Sequence, residues 1–194
     1  MRLRAEQMTD SQKMSLLKVA KDTVKAVITG GEFLRPETDD EELKAACGCF
    51  VTLKNGEQLR GCIGQFTSAE PLIELVAAMA SSSASRDTRF FDNPITAAEL
   101  PHLDIEISVL SPLQLTNDPL SLRLGVDGIY IKRGFASGCF LPQVATETGW
   151  SAEQFLSYCC AHKAGISYDA WQEPGTEVYL FQAEVFGAAF EDIG

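Results

Sequence analysis

Apolar residues recur at helical spacing between Asp10 and Ile28, where Leu17, Ala20, Val24, Val27 and Ile28 fall on one side. The pattern predicts a one-sided helix with Asp10 or Ser11 as N-cap and Gly30-Gly31 as its stop. Residues 35–44 are polar and Pro-led, and read as an exposed loop or short helix. The stretch CGCFVTLKNGEQLRGCIGQF, residues 47–66, then reads as two strands about Asn55-Gly56. A two-residue turn there sets Val51 opposite Arg60 and Cys49 opposite Cys62; a three-residue turn with a bulge at Gly56 moves the pairing by one and sets Cys62 against Gly48.

Thr67-Ser68-Ala69-Glu70 reads as the cap of a second helix carrying Leu72, Leu75, Val76 and Met79. That helix runs into SSSASRDTRFFDNP, where serines compete for backbone hydrogen bonds and Pro94 forbids continuation. Asp104 to Leu110 alternates, with Ile105, Ile107 and Val109 on one face and Glu106 and Ser108 on the other, as in a half-buried strand. Leu122 to Arg133 reads as a hairpin about Asp127-Gly128, and Gly138–Leu141 as a short strand. A short helix is expected from Pro142 to near Gly149, and another from the Ser151/Gln154 capping box through Phe155, Leu156 and Cys159 to Gly165. A long strand, Glu177 to Phe186, closes the chain. Helices and antiparallel hairpins mix without a βαβ rhythm, so the predicted class is α+β, antiparallel sheets with several helices. The region 104–141 is expected to form a smaller β lobe within one domain of 194 residues, and a cleft between lobes is the default place for a ligand.

Composition narrows the function. With 45% hydrophobic and 22% charged residues the chain reads as globular, and no apolar run is long enough for a transmembrane helix. The opening MRLRAEQMTD lacks the apolar core of a secretory leader, so a cytoplasmic protein is expected. Net charge is −11: residues 1–60 hold ten basic and ten acidic side chains, whereas residues 61–194 hold six against seventeen. That balance argues against a broad nucleic-acid surface, which needs clustered Lys and Arg. The six cysteines form no CxxC pair and are expected as thiols. Cys159 and His162 share a helical face but are two ligands short of a tetrahedral zinc site, so no metal is expected, and no motif calls for a cofactor.

The chemistry gathers in LRGCIG, residues 59–64. In an extended strand Arg60 and Cys62 share the face opposite Leu59, Gly61 and Ile63, and a guanidinium there favours the nucleophilic thiolate. Gly61 and Gly64 would let a ligand or another backbone come close. The competing account is a small buried thiol, glycines for a bulge and a surface arginine. Neither His102 nor His162 is placed near Cys62 by the sequence, and Asp104 or Glu106 could serve as base instead. Arg86, Asp87 and Arg89 form a charged loop that either holds an anion between arginines or locks itself through an Arg–Asp pair. Cys49 and Cys62, if cross-strand neighbours, would make a redox pair.

LRGCIG at 59–64, SRDTRF at 85–90, IEISVLSP at 105–112, LPQVATETGW at 141–150 and VYLFQAEVF at 178–186 together resemble the AMMECR-one domain family, over roughly residues 14 to 186. The resemblance implies an α+β fold with a larger lobe built from both chain ends, a smaller β lobe and a cleft between them. It further implies association with Memo-type and radical SAM proteins, as component A of the AmmeMemoRadiSam system, and puts Arg60, Gly61, Cys62 and Gly64 near the cleft with Arg86, Asp87 and Arg89 as neighbours. Two functions are therefore expected: a cysteine-dependent enzyme or pathway component acting on a small molecule or peptide, with Cys62 as its catalytic thiol, or a non-enzymatic binding or adaptor protein.

Overall fold

Thr9, not Asp10 or Ser11, caps the first helix α1, Asp10–Thr29: its hydroxyl accepts from the Gln12 amide while the Gln12 side chain returns to the Thr9 amide. Gly30, at φ 69°, ends it as expected. The second helix α2, Leu72–Ser85, carries on through the serine run because the hydroxyls find partners, Ser85 on the Ser81 carbonyl and Ser83 on a neighbouring strand. Its expected cap at residues 67–70 does not form; Pro71 begins the helix, and Ser68 accepts from the Glu70 amide one turn earlier. The structure, a computed structural model, describes residues 7–32 and 35–194; residues 1–6, part of the stretch read as lacking a leader, lie outside them.

Both helices pack on a sheet of order β2-β1-β3-β8, formed by β1 (Cys49–Asn55), β2 (Gln58–Gln65), β3 (Leu103–Leu110) and β8 (Ala183–Ala189). Leu16, Ala20 and Val24 from α1, Leu75 and Val76 from α2, and Val51, Leu53, Ile105 and Ile107 from the sheet are fully buried together. Each of the Leu, Val and Ile side chains contributes roughly 1.5–3 kcal/mol. This unit runs to Leu110 and resumes over Glu184–Gly194, so it is built from both chain ends.

The second compact unit, Ser111–Ala183, has a sheet of order β4-β7-β5-β6 from β4 (Gln114–Thr116), β5 (Gly128–Arg133), β6 (Ala136–Phe140) and β7 (Glu177–Phe181). Helices α3 (Pro142–Thr148) and α4 (Ala152–Tyr158) follow, the latter running into a π-helical turn, Cys159–Ala164, that Gly165 ends. Its core gathers Ile129, Ile131, Phe155, Leu156, Cys159 and Val178.

Three further expectations change. The lobe expected over 104–141 is drawn differently, because residues 103–110 pair with β1 in the first unit while the helices after Pro142 belong to the second. Residues 122–133 do not make a hairpin about Asp127-Gly128; Asp127 closes that loop by accepting from the Arg123 amide, Nε and Nη2 at 2.9, 3.0 and 2.8 Å. The tight turn falls at Gly134-Phe135, where Gly134 takes φ 61°. The closing strand splits at Gln182, whose amide and carbonyl are both bonded by Ser111, and its halves join different sheets. The fold is α+β, as predicted.

Candidate functional site

The geometry around Cys62 follows from where the first hairpin turns. Gly56, at φ 57°, opens the turn, so Asn55 stays in the strand opposite Gln58. Lys54 pairs with Leu59 but Leu53 pairs with Gly61, which leaves Arg60 as the extra residue of a β-bulge. Both registers expected from the sequence are thus displaced: Cys62 faces Thr52, and Cys49 faces Gln65.

The bulge separates Arg60 from Cys62. Arg60, only 3% exposed, is spent on Glu99, with Nε and Nη2 on its two oxygens at 2.5 and 3.2 Å, while Nη2 also donates to the Asn93 carbonyl at 3.1 Å. Burial pushes the Glu99 carboxyl upward, but hydrogen bonds from Arg60 and Asn55 outweigh it and hold the group below its usual range. Arg60 therefore locks the loop over 90–99.

The proposed redox pair also fails. Cys49 and Cys62 lie three register positions apart and on opposite faces, since Cys49 points with Val51 and Leu53 toward the helices while Cys62 points with Thr52 away from them. Three positions at ~3.3 Å each give about 10 Å along the strand, beyond the ~7 Å that a disulfide spans. Burial also pushes the Cys49 thiol well up.

Gly61 and Gly64 make room for the protein itself, not for a ligand. A Cβ at Gly61 would stand 2.0 Å from the Ser83 carbonyl oxygen, so α2 lies directly on the strand there. This contact lets the Ser83 hydroxyl accept from the Ile63 amide at 2.9 Å and donate to the Val51 carbonyl at 2.8 Å, splicing the helix into the β1–β2 pair. A Cβ at Gly64 would meet the Phe50 ring at 2.3 Å.

Two residues of the charged loop reach Cys62 through its backbone. Asp87, 5% exposed, accepts from the Cys62 amide at 2.9 Å, and Arg89 donates from Nη2 to the Cys62 carbonyl at 3.2 Å. The two side chains also bind each other, Arg89 Nε and Nη2 to the Asp87 carboxylate at 2.9 and 2.6 Å. Those bonds from Arg89, and next the Cys62 amide, hold the Asp87 carboxyl down at about 2 despite burial. The pair does for an edge-strand residue what a neighbouring strand would do. The Phe90 ring then has two guanidinium groups over it, Arg60 at 6.0 Å and Arg89 at 5.4 Å from its centroid. Arg86 is not part of this arrangement; it is exposed at the C-terminus of α2 and lines a shallow cavity with Arg35, Glu70 and Glu74.

With its main chain held, Cys62 is half-buried and its thiol lies on the sheet face away from the helices. Thr52 Oγ1 donates to Sγ at 3.2 Å. The row continues through Thr52 to its β3 partner Glu106, whose carboxylate takes the Lys54 ammonium at 3.4 Å. Thr52 was missed in the sequence, although the alternation of FVTLK marks it as the one hydroxyl on its strand. Asp104 stands opposite Lys54, two register positions from Thr52. His102 ends a 3₁₀ turn, Ala97–His102, and His162 stacks on Tyr158 in the second unit, so neither hydrogen-bonds Sγ. Among the described residues no His, Cys, Asp and Glu side chains are grouped as a metal site, and no helix is long and apolar enough to cross a membrane.

Comparison with known proteins agrees with these motifs. The AMMECR1 family model matches residues 17–186, a span that covers most of both units. A protein of Methanothermobacter thermautotrophicus is 41% identical over 179 residues, covering 89% of this chain and 92% of its own length. One from Nanoarchaeum equitans is 39% identical, covering 89% and 98%. The crystal structure of an uncharacterized protein from Pyrococcus horikoshii superposes with a TM-score of 0.82 at 36% identity, over 93% of each chain. The chain belongs to the AMMECR1 family.

Proposed function

We propose that the sheet face around Cys62 binds a small molecule or peptide and that the thiol is the group that reacts with it. The observation that carries this reading is the division of labour at residue 62: Asp87 and Arg89 hold its backbone, the residue is only half-buried, and Sγ takes a hydroxyl donor from Thr52. A hydrogen-bond donor on sulfur supports the negative charge that a nucleophilic thiol carries. Glu106, two strands across on the same face, is the nearest acidic side chain along the row and the candidate proton acceptor. In this reading the protein works as a pathway component beside Memo-type and radical SAM proteins, as the family resemblance implies. A second reading, a binding or adaptor protein that does not react, rests on Sγ having, among the described residues, a hydroxyl and no base as its hydrogen-bond partner.

The test is alkylation of the folded protein with iodoacetamide, followed by peptide mass mapping. Cys62 should be modified well before the buried Cys49, Cys159 and Cys160, and Thr52→Val should slow it about threefold or more, the loss of one modest hydrogen bond. A Cys62 as inert as the buried thiols ends the reactive reading and leaves the adaptor. Mixing the purified chain with Memo-type and radical SAM partners on a sizing column tests the proposed setting.

A further inference from the structure

The second unit carries an aromatic surface that the Cys62 site does not use. Trp150 and Tyr158 contact each other with ring centroids 4.4 Å apart, and Tyr158 stacks on His162 at 5.6 Å. Tyr168 stands edge-on to both, 5.4 Å from Tyr158 and 6.1 Å from His162. Trp150 and Tyr158 are half-buried, but His162 is exposed and Tyr168 is 45% exposed. His162 rides on the π-helical turn Cys159–Ala164, the kind of helix irregularity that recurs at functional sites. Four rings meeting at a surface, half of them in water, are what protein interfaces enrich.

Charge decides the partner. The unit holds seven carboxylates and four cations. Arg123 and Arg133 are taken by Asp127 and Glu173, and Lys163 lies over Phe140. Three carboxylates without an ion pair among the described residues, Glu147, Glu153 and Asp169, flank the aromatic residues in the chain. Ring faces and unpaired carboxylates together suit a planar cation, because a guanidinium stacks on aromatic rings and forks onto carboxylates. The protein already uses guanidinium–ring contacts internally, at Phe90 with Arg60 and Arg89.

We propose that Trp150, Tyr158, His162 and Tyr168 form a docking surface for an arginine-bearing segment of a partner protein. Binding is electrostatically steered by Asp169 and its neighbours and anchored by stacking on the exposed rings.

The experiment is fluorescence anisotropy of a labelled Arg-Gly repeat peptide titrated with the full chain, beside a citrulline-Gly peptide of the same length. Saturable binding of the arginine peptide, lost with citrulline, is expected. Tyr168→Ala should weaken it by about 3- to 30-fold, the range of one cation–π contact. Asp169→Asn should weaken it more than Glu177→Gln, which removes the same charge from the exposed start of β7. Equal effects of the two charge variants would mean non-specific attraction to an acidic chain and overturn the proposal. So would unchanged binding to Tyr168→Ala, whose exposed position keeps folding out of the comparison, or no saturation below ~1 mM.

Discussion

Replacing Asp87 by Asn should cost stability in a pH-dependent way. In the native protein the Asp87 carboxyl is lowered from the usual 3.8 to about 2, chiefly by Arg89. That difference corresponds to about 2.4 kcal/mol at ~1.36 kcal/mol for each tenfold. The Arg89 side chain is 55% exposed, so solvent screening trims the figure to roughly 1–2 kcal/mol. Asn keeps the shape but brings an NH₂ that faces either the Cys62 amide or the guanidinium, leaving a donor unpaired at about 1 kcal/mol or more. Urea unfolding at pH 7 should therefore show Asp87→Asn about 2–3 kcal/mol less stable. The carboxyl's folded value is depressed, so its contribution is fully present above the unfolded value and is lost as pH falls from about 4 through 2. At pH 3 the gap between the two proteins should narrow by about 1 kcal/mol. A gap that stays constant between pH 7 and pH 3, or is absent at pH 7, refutes the claim that an ionised Asp87 holds the Cys62 backbone.

Gly61→Ala forces a methyl to within 2.0 Å of the Ser83 carbonyl oxygen, and because both sides are backbone the loss should reach ~3 kcal/mol or more, read as a large fall in melting temperature. Retention of wild-type stability would show that α2 is not seated on the strand. Arg60→Ala leaves Glu99 without its buried cation and should destabilise by ~3 kcal/mol in urea, yet Cys62 alkylation in the folded state should stay within about twofold. A tenfold slowing instead would restore Arg60 as the activator of the thiol.

Residue spacing made the helices legible, together with the β-rich character of 47–66 and 104–110. The stops at Gly30, Gly149 and Gly165 were equally readable, because capping glycines and one-sided apolar faces are local signals. Register was not legible. Asn55-Gly56 looked like a turn, but a single bulge at Arg60 reversed the face on which every later residue of β2 was expected relative to Arg60. Nothing in LRGCIG announces that bulge; it is fixed by Glu99 and Asn93, more than 30 residues away in the chain. The same holds for Asp87 and Arg89, whose mutual pairing was readable while their grip on Cys62 was not, because it reaches across 25 and 27 positions. The split of the last strand at Gln182 likewise depends on Ser111, at the far end of the second unit.

The way residue 62 is held makes its identity separable from folding. Asp87 and Arg89 read an amide and a carbonyl, which every residue except proline offers alike. The side chain itself is tied by one hydroxyl from Thr52. Position 62 therefore works as a socket: serine or alanine can be plugged into it with the frame unmoved, and a change in behaviour then reports on sulfur chemistry alone.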